Sequence, residues 1–303
     1  DVRPMARFRE EIWDGELGKG GVIGDLSSLD RSPIGLLPTG GLRRFVPVWA
    51  NEKYLPPCQS ACPTGIPVQK RWELIRQGKI DEAVDLALQY TPFPATVCGY
   101  LCPNLCMQNC TRRRVSLPAI DIRVLGKASL SAKTPVRLPE TGKKIAVIGG
   151  GAAGLSVAWQ LWMKGHEPVI IEGRKKLGGK ITDSIPQSRI PADVVEHEIN
   201  RLAKSIRKMQ LGKPLTKERF LKLKQENDYL VIATGAVKPR KLNVPGMEKA
   251  LTALEFLQQS KLDCVTVGQK VVIIGAGNVG CDAATEAFRL GALVIRIQLF
   301  LDL

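Results

Sequence analysis

The stretch "KKIAVIGGGAAGLSVAWQLWMKGHEPVIIEG", starting at Lys143, constrains this chain more than any other. Apolar residues up to Ile148 read as a buried strand. Gly149, Gly151 and Gly154 then form G-x-G-x-x-G, Ala152 and Ala153 open an apolar helix, and "PVIIE" returns as a second strand. In such a unit the first glycine permits the tight turn. The second lets a pyrophosphate approach backbone N–H groups at the helix N-terminus, and the third lets helix and strand pack closely. Glu172 stands eighteen residues past Gly154, at the end of the second strand, where a carboxylate accepts hydrogen bonds from a ribose hydroxyl. The unit is therefore expected to bind a dinucleotide. Its glycines also argue against a membrane helix over the longest uncharged run, Ile145 to Met163.

The device recurs. "QKVVIIGAGNVGCDAATEAFRLGALVIRI" places Gly275, Gly277 and Gly280 in the same spacing, with Asn278 and Val279 opening the helix. Where the first unit has Glu172 the second has Gln298, with Arg296 two residues before it, and an arginine there suits a 2′-phosphate and leans toward NADPH. "DYLVIATGA" adds a further buried strand, ending at Thr234 and Gly235. The expected fold is α/β, with an N-terminal helical domain followed by two Rossmann-like dinucleotide-binding domains, the second truncated. The expected divisions are an extended Gly- and Pro-rich arm over residues 1–50, a helical domain over 51–130, a first dinucleotide domain over 131–250, and the start of a second over 251–303. A chain that begins at Asp1 and stops at Leu303, just as the second unit opens, reads as a fragment.

Within the helical domain, apolar periodicity predicts helices over Val68–Gln77 and Asp81–Gln89, broken at Gly78. The same region holds six of the eight cysteines: Cys58 and Cys62 in "CQSACP", and Cys98, Cys102, Cys106 and Cys110 in "CGYLCPNLCMQNC". Pro103 prevents one continuous helix through that four-residue ladder. Zinc would ordinarily bring C-x-x-C pairs and histidines, but there are no such pairs, and His166 and His197 lie elsewhere. Disulfides belong to oxidising compartments, whereas nothing at the start resembles a secretory leader, so a reducing cytoplasm is expected. Thiolates followed by proline suit an iron–sulfur cluster best, with zinc and plain packing as the weaker alternatives. The remaining two, Cys264 and Cys281, are expected to be small packing residues.

The net charge of +15 invites a nucleic-acid reading, but much of the excess sits in two stretches. Arg112 to Lys144 and Arg201 to Glu226 each carry nine basic and two acidic residues, without interleaved aromatics that could stack bases. A solvated face, or a surface for anionic cofactors or an acidic partner, fits better than nucleic acid.

Taken in combination, "PPCQSACPTGIPVQKRWELIRQGKIDEAVDLALQYTPFPATVCGYLCP", the first glycine unit, "GRKKLGGKI" with Gly178 and Gly179, "IPQSRIPADVVEHEI", "ATGA" and "VVIIGAGNVGCDAA" resemble the glutamate synthase small-subunit family. That family includes the NADPH-oxidising half of dihydropyrimidine dehydrogenase and the large subunit of electron-bifurcating ferredoxin:NADP reductases. The resemblance covers roughly residues 55–297 and implies FAD in the first unit, NAD(P)H in the second and [4Fe–4S] clusters in the helical domain. Electrons then pass between NAD(P)H, FAD and clusters within a larger redox complex, and no side-chain acid or base is required. The contrasting expectation is an electron-relay or scaffold subunit that binds FAD and iron–sulfur but no nicotinamide.

The resemblance assigns Cys62, Cys102 and Cys106 to one cluster, with a fourth ligand from a Gln or Glu whose place here is taken by Gly126 or a neighbour. It assigns Cys58 and Cys110 to a second cluster, and gives Cys98 a position that often does not ligate. The family's leading C-x-x-C is missing ahead of Cys58. Either one cluster draws its fourth thiolate from Cys58, Cys98 or Cys110, or a partner subunit completes a second; one cluster is preferred.

Overall fold

The computed structural model describes residues 55–236, 245–275 and 277–297. The N-terminal arm and Gln298 lie outside the described residues.

The cysteine-bearing region is built from short helices. α1 (Pro57–Ser60) has proline in its first turn, where the missing N–H costs nothing. α2 (Val68–Arg76) buries Val68, Arg71 and Leu74 along one face and stops before Gly78, whose φ of +77° is readily adopted by glycine. α3 (Ile80–Asp85) tightens into a 3-10 turn over Leu86–Gln89 rather than running on as one α-helix. The Ala83 carbonyl in α3 accepts a hydrogen bond from the Arg71 side chain. Ala95–Leu101 is a π-helix, closed by Cys102 N–H donating to the Val97 carbonyl at 2.8 Å. As Pro103 predicts, the ladder is broken: Cys102 is extended, Asn104 is left-handed at φ +58°, and α4 (Leu105–Gln108) starts anew. α5 (Ile122–Ala128), capped by the Asp121 side chain, follows.

β1 (Lys144–Ile148), α6 (Ala152–Met163) and β2 (Glu167–Ile171) form the first strand–helix–strand unit. α7 (Lys180–Asp183), α8 (Ala192–Ser205), β3 (Met209–Gln210), α9 (Lys217–Glu226) and β4 (Tyr229–Ile232) complete it. The sheet is parallel with order β3-β2-β1-β4, Ile148 pairing with Ile171 on one side and Ile232 on the other. Its pleat divides the core. Ile145, Val147 and Ile170 join the larger cluster, while Ala146 and Ile171 pack with Leu223 of α9. α10 (Ala253–Lys261) precedes a second unit of β5 (Lys270–Ile274), α11 (Asn278–Arg289) and β6 (Leu293–Ile297), again parallel.

The larger core is continuous between the helical region and the first sheet, bringing Ile66, Val68, Leu88 and Phe93 together with Ile145, Leu155, Trp159 and Val194. Polar contacts lock the same seam: Trp159 Nε1 donates to the Leu88 carbonyl at 2.7 Å and Gln160 Nε2 to that of Gln89 at 3.0 Å. Arg201, counted among the basic stretches, is not part of a solvated face. It is buried beside Glu198, 3.0 Å away. Cys264 is exposed rather than packed. Among the described residues no helix is long and apolar enough to cross a membrane.

Candidate dinucleotide and iron–sulfur sites

In the first unit β1 ends directly in the glycine loop. Gly149 adopts φ +114°, its N–H continues the ladder to the Ile171 carbonyl, and a Cβ there would strike the Ala233 carbonyl just before Thr234. A Cβ on Gly154 would collide with the Gly149 carbonyl, so the third glycine is what lets α6 start this close to the strand. Gly151 is the N-cap, Ala152 and Ala153 are exposed, and no side chain caps the helix, leaving its first N–H groups open to an anion. Glu172 Oε2 accepts from Gly150 N at 2.6 Å and Oε1 from Arg174 N at 2.8 Å, which ties the carboxylate to the loop with lone pairs to spare. Gly178 and Gly179 close over the same turn: Gly151 bridges Gly178, and a Cβ on Gly179 would lie 3.0 Å from the Gly151 Cα. Gly235, at φ +74°, follows the end of β4 beside this loop. Gly149, Gly151, Gly154, Glu172, Gly178, Gly179 and Thr234 are thus brought together, in a cradle that side chains would fill. That fits a dinucleotide.

The second unit repeats the geometry. Gly275 has φ +113°, Gly277 is the N-cap of α11, and a Cβ on Gly280 would strike the Gly275 carbonyl. Asn278 and Val279 are exposed at the helix start. Arg296 pairs with Ile273 on the β5–β6 ladder. This unit docks on the first through Arg189 and Asp282 at 3.0 Å and through Glu286, which accepts from Ser188 at 3.0 Å; Glu286 also accepts from Ser260 of α10 at 3.2 Å.

The six cysteines of the helical region are free and half-buried. The Cys98 thiol is raised chiefly by burial and, less, by the nearby thiols of Cys102, Cys62 and Cys106, whereas that of Cys58 is raised chiefly by burial and, less, by Cys110. Cys106, which also feels Cys58 weakly, links the two groups. Among the described residues, no three Cys, His, Asp or Glu side chains converge as a single-ion site. A four-iron core is wider than one ion, and its ligands stand apart at its corners. Two of the sulfurs have donors of the kind a ligating thiolate takes: Asn104 N–H donates to Cys102 Sγ at 3.3 Å, and Thr64 Oγ1 lies 3.4 Å from Cys62 Sγ. The donor set fits an iron–sulfur cluster. Burial pushes the Cys98 thiol up to about 12 and that of Cys106 to about 11, so without metal both stay protonated at neutral pH. Cys58, Cys106 and Cys110 line a cavity of 760 Å³ together with Trp72, whose buried Nε1 has no partner among the described residues.

At Gly126 there is no room for a longer residue. A Cβ would lie 2.7 Å from the Cys98 carbonyl carbon, because α5 packs directly on the π-helix. The π-helix is held from the other side by α8. Glu198, fully buried, accepts from Ala95 N at 2.9 Å and Thr96 N at 2.8 Å. Neither Glu198 nor Arg71 was among the residues that motif spacing singles out, since neither belongs to a glycine or cysteine pattern. The signal available was a charge at a core position of an amphipathic helix.

Residues 143–300 match the pyridine nucleotide-disulphide oxidoreductase family, and residues 52–134 match dihydropyrimidine dehydrogenase domain II, 4Fe-4S cluster. The NADPH-Fe(3+) oxidoreductase subunit beta of Geobacter sulfurreducens is 30% identical over 277 residues, covering 85% of this chain and 40% of that protein. The glutamate synthase [NADPH] small chain of Bacillus subtilis is 29% identical, over 76% of this chain and 50% of its own length. The NADP(+)-dependent formate dehydrogenase subunit beta of Moorella thermoacetica is 29% identical, over 80% and 39%. The chain thus spans half or less of the length of these relatives. The resemblance carried by the motifs agrees with these relatives, and FAD, NAD(P)H and [4Fe–4S] are the cofactors of the two matched families' domains. With a helical iron–sulfur region ahead of a parallel-sheet nucleotide domain, the chain belongs to the pyridine nucleotide-disulphide oxidoreductase family.

Proposed function

We propose that this chain is an electron-transfer unit, passing electrons between NAD(P)H, FAD and one [4Fe–4S] cluster within a larger redox complex. The observation that carries the reading is the single hydrophobic core shared by the cysteine-bearing helices and the first dinucleotide unit. The flavin, when bound, supplies the exchange between a two-electron hydride and single electrons. For their part, Gly149, Gly151 and Gly154 would bring backbone N–H groups to its pyrophosphate, and Glu172 would orient its ribose. Gly275, Gly277 and Gly280 would do the same for the nicotinamide dinucleotide, with Arg296 favouring a 2′-phosphate. Cys62, Cys98, Cys102 and Cys106 would hold the cluster, because Cys98 is the cysteine that interacts with the other three. Cys58 and Cys110, which line the cavity together with Cys106, would be left for a partner subunit to complete.

Iron and acid-labile sulfide, counted per flavin on anaerobically purified protein, test the reading. Near four irons per flavin supports one cluster, near eight places a second at Cys58 and Cys110, and zinc in their place overturns the account. Bleaching of the flavin by NADH or NADPH supports nicotinamide oxidation in this chain. An inert flavin that responds only through an added partner would leave it a relay.

A further inference from the structure

Arg71 is fully buried in α2, and its hydrogen-bond partners among the described residues are neutral. Its Nε donates to the Ala83 carbonyl at 2.7 Å, and one terminal nitrogen donates to the Leu125 carbonyl at 3.3 Å and to Ser129 Oγ at 3.1 Å. The other terminal nitrogen, NH1, has no partner among the described residues. Among the described residues no carboxylate pairs with it; compare Arg201, also buried but matched to Glu198. A buried guanidinium without a counter-ion is costly, so this one calls for an anion beyond those the described residues supply.

The Leu125 carbonyl that accepts from Arg71 is followed by Gly126, where a Cβ would lie 2.7 Å from the Cys98 carbonyl carbon, so the guanidinium is anchored to the segment that packs on Cys98. Carbonyls from α3 and α5 and the Ser129 hydroxyl fix the guanidinium from several directions, so it is held in place rather than free to follow a mobile partner. A [4Fe–4S] core held by four thiolates carries net negative charge and becomes more negative on reduction. Its potential responds to charges and hydrogen bonds near its sulfurs.

We propose that Arg71 is the built-in counter-charge of the iron–sulfur site, a positioning residue that secures the Cys98 side and raises the reduction potential of the centre. The proposal rests on the cluster reading above. The cluster, when bound, would take up one electron at a time, with no proton transferred and no bond broken, and Arg71 would bear only on how readily it does so.

The test is a potentiometric titration followed by electron paramagnetic resonance on the anaerobically purified chain, with iron and sulfide counted in every sample. Arg71→Met removes the charge while filling most of the space. It is expected to keep the wild-type iron content and to be about tenfold less reduced at a given poise, which is about 59 mV for one electron. Arg71→Lys keeps a charge whose proton a buried amine can lose. Its midpoint should fall as pH rises from neutral to alkaline, whereas the wild type stays flat. Should Arg71→Met fail to fold, the pH response of Arg71→Lys decides alone, because a merely structural arginine would create none. Unchanged, pH-independent midpoints in variants with full iron overturn the proposal and leave the cluster standing. A wild type without iron and sulfide overturns both.

Discussion

Replacing Glu198 with glutamine should loosen the cysteine-bearing π-helix without touching a cysteine. The carboxylate satisfies two buried donors, Ala95 N and Thr96 N, and neutralises Arg201 at 3.0 Å. Glutamine keeps one oxygen for one of the two N–H groups and turns an N–H toward the other. A buried donor left unpaired costs about 1–3 kcal/mol. Arg201 retains the carbonyls of Ser129 and Pro92 but loses its counter-ion, and breaking a buried pair from one side costs about 3–5 kcal/mol when nothing replaces it. With those carbonyls still in place, a loss of about 3 kcal/mol is expected. Urea denaturation gives the global value, and amide hydrogen exchange at Ala95 and Thr96 gives the local one. The double variant Glu198→Gln/Arg201→Met removes the stranded charge and should be less damaging than the sum of its parts by at least about 1 kcal/mol. A single-variant loss under about 0.5 kcal/mol, the level of an ordinary surface substitution, would refute the reasoning.

Gly154→Ala forces a Cβ into the Gly149 carbonyl and should abolish flavin retention, read from the visible spectrum of the purified protein, with secondary structure retained by circular dichroism. Full flavin occupancy would show that the loop is not held as described. Gly126→Gln, which reinstates the residue type the family resemblance places there, meets the backbone of Cys98 and Gly99 and should lower iron content at least severalfold; unchanged iron would mean that α5 can retreat. Asp121 is held down to about 2 by the Arg123 side chain first and by the Arg123 backbone N–H second. A depressed carboxyl contributes stability above its unfolded pKa, which is lost as pH falls through the folded value. The α5 N-terminus should therefore fray progressively from about pH 4 down to about pH 2, monitored by the carboxyl carbon resonance, and a midpoint near an ordinary 3.9 contradicts the capping arrangement.

Both glycine units were legible because each position answers a backbone demand, whether φ above +100° at Gly149 and Gly275 or contact with a carbonyl at Gly154 and Gly280. Such demands leave one residue type and hence a readable spacing. The break at Pro103 was legible for the same reason. The π-helix was not: widening a helix over Ala95–Leu101 goes with α5 packing on one part of it and with Glu198, 103 positions from Ala95, holding Ala95 N and Thr96 N, contacts that no local pattern announces. Arg71 looks like a surface charge in "VQKRWELIR", yet it sits three residues after Val68 and three before Leu74, on the face that is buried. Glu198 likewise falls in register with Val194 and Leu202. A charge in register with a core stripe was visible; that it would be tolerated there depended on partners in other elements.

The seam at Trp159 and Leu88 has a kinetic meaning. Electron tunnelling falls off exponentially with distance, so two centres on separately mobile modules transfer at a rate set by how often they meet. Here the segment that would carry the iron and the loop that would carry the flavin solidify as one body when the chain folds. Transfer between them would show neither a viscosity dependence nor a docking step, and any diffusional gating would have to arise where a further subunit joins.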